Sequence, residues 1–173
     1  MTRTGDGRDT ANTREGQEAV ETTRTGDAAE STVNSNPFNL QVIERFRAGG
    51  GRVEGFEGKP LLLLTTRGAR SGLMRTTPLV YLENGSQLVV FAANGGAATD
   101  PNWFRNLMAS GAGSVEVGQD TYTVRPVLVD EADQEDLWER QTAQDPNFAD
   151  FRRRTDRSVP VVALVPAADN VVF

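Results

Sequence analysis

The chain has no histidine and no cysteine. Their absence excludes Ser-His-Asp and Cys-His nucleophilic systems, zinc sites of the usual ligand types, iron–sulfur clusters and histidine-ligated haem. Lysine is nearly missing too: Lys59 stands alone beside 17 arginines. The groups left to move protons are carboxylates, Lys59, Tyr81, Tyr122 and hydroxyls. The carboxylates leave a Mg²⁺ or Ca²⁺ site open, but no Asp/Glu spacing follows an EF-hand loop and no metal ligand is assigned. No apolar run reaches the roughly 18 residues of a membrane span. The N-terminus is polar and carries no secretory signal, which sets the cytoplasm as the expected location. A net charge of −6 is the wrong sign for a nucleic-acid partner. An enzyme with so few acid–base groups would take its hard chemistry from an organic cofactor.

Residues 1–36 hold no Leu, Ile, Phe, Tyr or Trp, and carry 4 basic and 7 acidic side chains. Such a segment cannot bury enough apolar surface to offset its ordering entropy, so it is expected to be a disordered polar tail. Residues 37–173 form the single expected domain.

Within it, Leu40, Ile43 and Phe46 recur at helical spacing ahead of a Gly49-Gly50-Gly51 stop. Lys59–Arg67 and Arg75–Glu83 read as strands, and Asn84-Gly85 is a hairpin signal leading into Gln87–Ala93. Asp100-Pro101 opens a helix to about Ser110, with Trp103, Phe104, Leu107 and Met108 mostly inward and Asn102 and Asn106 as caps or surface residues. A second hairpin follows over Ser114–Val117 and Thr121–Val129. Asp130–Ala143 and Asp145–Arg154 read as helices, and Val159–Val165 as a closing strand. Consecutive strands joined by short turns imply an antiparallel sheet, not a doubly wound parallel one. The expected fold is a mainly antiparallel barrel with helices on its flanks.

The densest chemistry lies between the first two strands, in Thr65-Thr66-Arg67-Gly68-Ala69-Arg70-Ser71-Gly72-Leu73-Met74-Arg75-Thr76-Thr77. It places three guanidinium groups in one turn. Gly68 and Gly72 are expected to let backbone N–H groups approach a ligand, and arginine presents a planar fork suited to phosphate or carboxylate. The turn therefore reads as an anion site at the end of a sheet. Lys59 reads either as a strand-edge residue or as a further anion contact. Arg152-Arg153-Arg154 with Arg157 forms a second basic cluster.

Gly58-Lys59-Pro60 with Leu61–Leu64, Thr65 through Gly72, Arg75-Thr76-Thr77-Pro78-Leu79, Ala92-Ala93-Asn94-Gly95-Gly96, Asp100-Pro101-Asn102-Trp103-Phe104-Arg105-Asn106-Leu107 and Thr155 through Val162 occur in that order. Together they resemble the deazaflavin-dependent nitroreductase family, split β-barrel proteins related to those that bind flavin mononucleotide. The likeness spans residues 37–166.

The resemblance implies reduced coenzyme F-420 as hydride donor to an electron-poor small molecule, a quinone, enone or nitro compound. Its anionic arm would lie along Arg67, Arg70, Ser71 and Arg75. Its ring would pack near Met74, Thr77 and Pro78 and against Ala92, Ala93, Asn94 and Gly95. Val80, Phe148 and Phe151 would border the acceptor. They stand, with Asp145, where nitroimidazole-activating relatives carry tyrosines, so efficient nitroimidazole reduction is not expected. No catalytic residue is assigned; Tyr81 and Tyr122 are the available phenols. A non-catalytic carrier of a flavin-like molecule, or a flavin-mononucleotide enzyme on the same barrel, are the alternatives. The expected assembly is a monomer or weak homodimer.

Overall fold

The computed structural model describes residues 34–167. The segment expected to be disordered lies outside the described residues, except for its last three. Of these, Asn34 is buried and its Nδ2 donates to the Thr76 carbonyl at 3.0 Å. Asn36 caps the first helix, α1 (Pro37–Ala48): its side-chain oxygen accepts from the Phe38 and Asn39 N–H groups. The buried face of α1 is Asn39, Val42, Ile43 and Phe46, at i, i+3, i+4 and i+7. Leu40, expected to face inward, is 37% exposed.

Seven strands follow: β1 (Leu61–Arg67), β2 (Met74–Val80), β3 (Leu82–Asn84), β4 (Gln87–Phe91), β5 (Gly113–Val117), β6 (Asp120–Leu128) and β7 (Val161–Pro166). Between β4 and β5 lies α2 (Asn102–Ser110); between β6 and β7 lie α3 (Glu131–Gln144) and α4 (Asn147–Arg153). The strands form one sheet in the order β2-β1-β5-β6-β7-β4-β3, with every pairing antiparallel.

The two ends of that sheet, β2 and β3, are separated in sequence by Tyr81 alone. A chain that supplies both ends of a sheet within eleven residues forces it to curl until the ends meet. This corrects the reading of Arg75–Glu83 as one strand beside Gln87–Ala93. Its first part pairs with β1 (Leu61 opposite Val80), and only its end pairs with β4 (Leu82 opposite Val89). The fold is the expected split β-barrel with flanking helices.

Alternation along the strands sorts side chains between barrel interior and outer layers. Leu62 and Leu64 of β1, Leu88 and Val90 of β4, and Val162 and Leu164 of β7 share the interior with Trp103 and Leu107 of α2. Leu61 and Leu63 face the other way, onto Val42, Ile43 and Phe46 of α1. Val89 and Phe91 do likewise onto Leu137 and Trp138 of α3 and Phe148 of α4. The leucine run of β1 is thus buried on both faces, as a continuous apolar strand requires. Among the described residues no helix is long and apolar enough to cross a membrane.

Candidate functional site

Three helices leave a gap over the C-terminal half of β2. The cavity there, about 170 Å³, is bounded by Phe38, Asn39 and Val42 of α1, by Pro78, Leu79 and Val80 of β2, by Val90, Phe91, Ala93 and Asn94, by Trp103, and by Phe148 and Phe151 of α4. A cavity of roughly 150 Å³ holds a benzene ring, so this one accepts a flat ring, and being open it lets a longer molecule continue outward. Phe148 meets Phe151 edge-on at 5.0 Å and Phe91 at 6.0 Å, giving a stiff aromatic wall.

Two polar atoms in this lining are buried and find no hydrogen-bond partner among the described residues: Asn39 Nδ2, a donor, and Asn94 Oδ1, an acceptor. Asn94 adopts a left-handed backbone (φ 52°), held by its Nδ2 donating to the Thr99 carbonyl at 2.9 Å. Asn39 was invisible as a site residue in the sequence, where it reads as one polar position in an amphipathic helix. Its position in the i, i+3, i+4, i+7 set is the signal that could have found it.

The arginine turn sits at the opposite end of β2, where Arg67 pairs with Met74. Its glycines do not present N–H groups outward as expected. Gly68 N donates to Leu73 O at 2.7 Å, and Gly72 N to Gly68 O at 2.9 Å. The tight bend consumes those donors, and a Cβ on Gly68 would stand 2.7 Å from Ser71 Oγ. Ser71 Oγ accepts from Leu73 N and from Arg75 Nη2, both at 3.1 Å. Arg75 is only 7% exposed and braces the bend from beneath. Arg67 and Arg70 are exposed, Arg67 with Nη1 donating to the Gly72 carbonyl. Asn106, expected at a cap or the surface, is buried and accepts from Ala69 N at 2.9 Å, tying the turn to α2. Met74 is half-buried; Thr77 is buried on β2 between turn and cavity.

A single turn of 3-10 helix, Asn94–Gly96, forms the far rim of the cavity. Arg157 staples it. Its Nη2 donates to the carbonyls of Ala92 and Ala93 at 3.1 Å, its Nε to that of Ala97 at 3.0 Å, and its Nη1 to Asp100 Oδ1 at 2.6 Å. Burial pulls the Arg157 pKa down, against the opposing pull of Asp100. Arg154 Nη1 donates to the Gly95 carbonyl, and α4 presses so closely that a Cβ on Gly96 would meet Arg154 Cβ at 2.8 Å. The rest of the second basic cluster is also engaged within the protein: Arg152 pairs with Glu135 and lies over the Trp138 ring, and Arg153 pairs with Asp150. Of the loop residues the resemblance points to, Ala93 and Asn94 line the cavity, whereas Ala92 and Gly95 act through their carbonyls.

Lys59 lies at the cavity, two residues before β1 and so at the far end of that strand from the arginine turn, with Nζ 3.6 Å from Asp145 Oδ1. The two phenols do not line the cavity; Tyr81 and Tyr122 pack against the interior cluster instead. Burial raises the pKa of both, helped by Glu83 at Tyr81 and by Asp120 at Tyr122.

A family model described as F420H(2)-dependent quinone reductase matches residues 39–166. An F420H(2)-dependent quinone reductase of Mycobacterium tuberculosis is 34% identical over 118 residues, 66% of this chain and 78% of that protein. A solved structure of an F420-H2 dependent reductase is 29% identical with a TM-score of 0.55, covering 61% of this chain and 93% of that one. Another, described as a domain-swapped dimer, is 29% identical with a TM-score of 0.56, covering 61% and 79%. The chain belongs to the F420H(2)-dependent quinone reductase family and is an oxidoreductase that depends on reduced coenzyme F-420.

Proposed function

We propose that the protein passes hydride from reduced coenzyme F-420 to a quinone, with the deazaflavin ring in the cavity and its anionic arm running down β2 to Arg67 and Arg70. The observation that carries this reading is an open, largely apolar cavity of about 170 Å³ at one end of β2 with the exposed Arg67 and Arg70 at the other. The cavity suits an apolar ring, and the guanidinium forks suit a phosphate or carboxylate. The distance supports the reading as well: Met74 to Pro78 is four residues of strand, roughly 13 Å, which suits a molecule with a flat head and a charged tail.

When bound, the coenzyme supplies the hydride. The chain's residues do the rest. Pro78, Ala93 and Trp103 give the ring an apolar seat, and Phe148, Phe151 and Val80 border the remaining space, excluding water from a hydride path. Arg67 and Arg70 hold the anionic end, and the Ser71–Arg75 brace keeps their turn in shape. Enones and nitro compounds are electron-poor in the same sense, but the aromatic wall favours a flat ring.

Titration with coenzyme F-420 and with flavin mononucleotide, followed by turnover with menadione, tests the proposal. Binding of the first but not the second, with menadione reduced, is expected. Tight binding without turnover would identify a carrier, and preference for flavin mononucleotide would overturn the cofactor placement. Arg70→Ala leaves the fold's internal bonds intact and should weaken coenzyme binding about tenfold, 1.4 kcal/mol. An unchanged affinity would remove the turn from the site.

A further inference from the structure

We propose that Lys59 is the proton donor to the reduced acceptor and that Asp145 positions it; this rests on the quinone reading above. Among the residues that line the cavity, Lys59 and Asp145 are the only two with titratable side chains. They come from separate parts of the chain and meet across its wall, Nζ to Oδ1 at 3.6 Å.

Both are fixed. Lys59 N donates to Phe56 O at 2.9 Å, and the next residue, Pro60, accepts from Tyr81 N at 3.0 Å. Asp145 ends α3, with its N–H on Gln141 O at 2.8 Å and its own carbonyl accepting from Phe148 N at 3.0 Å. Its Oδ1 also accepts from Asn147 N at 3.3 Å. The carboxylate is 5% exposed, whereas the lysine side chain is 30% exposed. A buried carboxylate therefore lies beside a lysine side chain that is partly open to water. An ammonium has three N–H bonds, and the ion pair occupies one at most.

The reaction creates a need at this spot. A quinone that gains a hydride becomes a hydroquinone monoanion, and an ionised oxygen is costly in an apolar cavity. The step we assign balances simply. One Nζ–H bond breaks and one O–H bond forms on the anionic ring oxygen, giving neutral hydroquinone and neutral lysine. Solvent, which reaches the partly exposed lysine side chain, then returns the proton. The phenols Tyr81 and Tyr122 pack against the interior cluster and do not line the cavity.

Three single variants and one double variant separate the possibilities. Lys59→Met should lower kcat with menadione at least 30-fold while the coenzyme dissociation constant stays within twofold. Lys59→Arg keeps the cation and its partner but cannot release a proton at neutral pH; kcat should stay at least tenfold low. Asp145→Asn should lower kcat three- to tenfold. The double variant Lys59→Met with Asp145→Asn removes the stranded carboxylate and should be no faster than Lys59→Met.

The readout independent of turnover is binding of 2-hydroxy-1,4-naphthoquinone, ionised at pH 7, to coenzyme-free protein, followed by tryptophan fluorescence. Lys59→Met should weaken it at least tenfold, with neutral menadione unaffected and Lys59→Arg close to wild type. Full kcat in Lys59→Arg would overturn proton donation, and full kcat in Lys59→Met would overturn any role in the reaction. Equal binding of the anion by Lys59→Met and wild type would overturn the placement. Wild-type protein that neither binds coenzyme nor reduces menadione would overturn the quinone reading together with this one.

Discussion

At the scale of a single residue, Arg157 does more to hold the cavity rim than its place in a basic cluster of the sequence suggests. It satisfies three backbone carbonyls and one carboxylate on the segment from Ala92 to Asp100, which includes the cavity rim. Hydrogen bonds to charged groups contribute about 1.5–3 kcal/mol each before the entropy of ordering the side chain, and this side chain is only 16% exposed. Arg157→Ala should therefore cost about 2–4 kcal/mol of stability. Arg157→Lys should recover little of it, because one ammonium cannot reproduce a planar fork that spans four acceptors. Thermal unfolding and coenzyme titration of both variants check this: both should lose affinity although Arg157 does not line the cavity. The phenols make a different prediction. Burial raises the Tyr81 and Tyr122 pKa values in the folded chain. A raised acid constant means that the folded state keeps its proton where the unfolded chain has lost it. The linked stability is fully present below about pH 10, the unfolded value, and is lost as pH climbs through the higher folded value. Chemical denaturation from pH 8 to 11 should show stability falling at the top of the range, and less so in Tyr81→Phe.

At the scale of the element, α1 has two tasks: it covers Leu61 and Leu63, and it carries Asn39 to the cavity. Its start depends on Asn36, so removal of that cap should cost about 1 kcal/mol. For a domain of this size that is a fall of roughly 3–4 °C in melting temperature. Asn36→Ala should also weaken coenzyme binding, because Asn39 lies in the first turn and frays with it; Asn36→Asp, which still caps, should restore both. A melting temperature that falls without any change in affinity would detach α1 from the site.

The same elements show what could be read in advance. Local signals were legible: the strand leading into the arginine turn, read as starting at Lys59 and found from Leu61, the hairpin at Asn84-Gly85, and the glycine run that stops α1. What remained hidden was pairing between distant segments. Nothing near Tyr81 announces that β2 and β3 lie at opposite ends of the sheet, because the reason is the curvature of all seven strands. The arginine turn was legible as a cluster of charge, but its glycine donors were assigned to a ligand when the bend itself needs them. The floor of the cavity at Pro78 and Ala93 came from likeness to a family. Asn39 and the Lys59–Asp145 contact come from tertiary packing, where residues far apart in sequence share one wall.

At the scale of the whole molecule, charge poses a contradiction that salt can resolve. The chain carries −6 overall, so at long range it repels a polyanionic coenzyme. The arginine turn attracts it at short range. The Debye length is about 30 Å at 0.01 M salt and about 10 Å at 0.1 M, so dilute buffer lets the coenzyme feel the whole protein and ordinary buffer only the turn. Raising salt from 0.01 to 0.1 M should therefore change affinity little, because weakened repulsion offsets weakened attraction. From 0.1 to 0.5 M the short-range contacts are themselves screened and affinity should fall several-fold. In Arg70→Ala the second slope should flatten, since one of the screened contacts is gone. An affinity that rises steadily with salt up to 0.5 M, in wild type and variant alike, would mean that net repulsion outweighs the turn. The anionic arm would then have to be held somewhere other than Arg67 and Arg70.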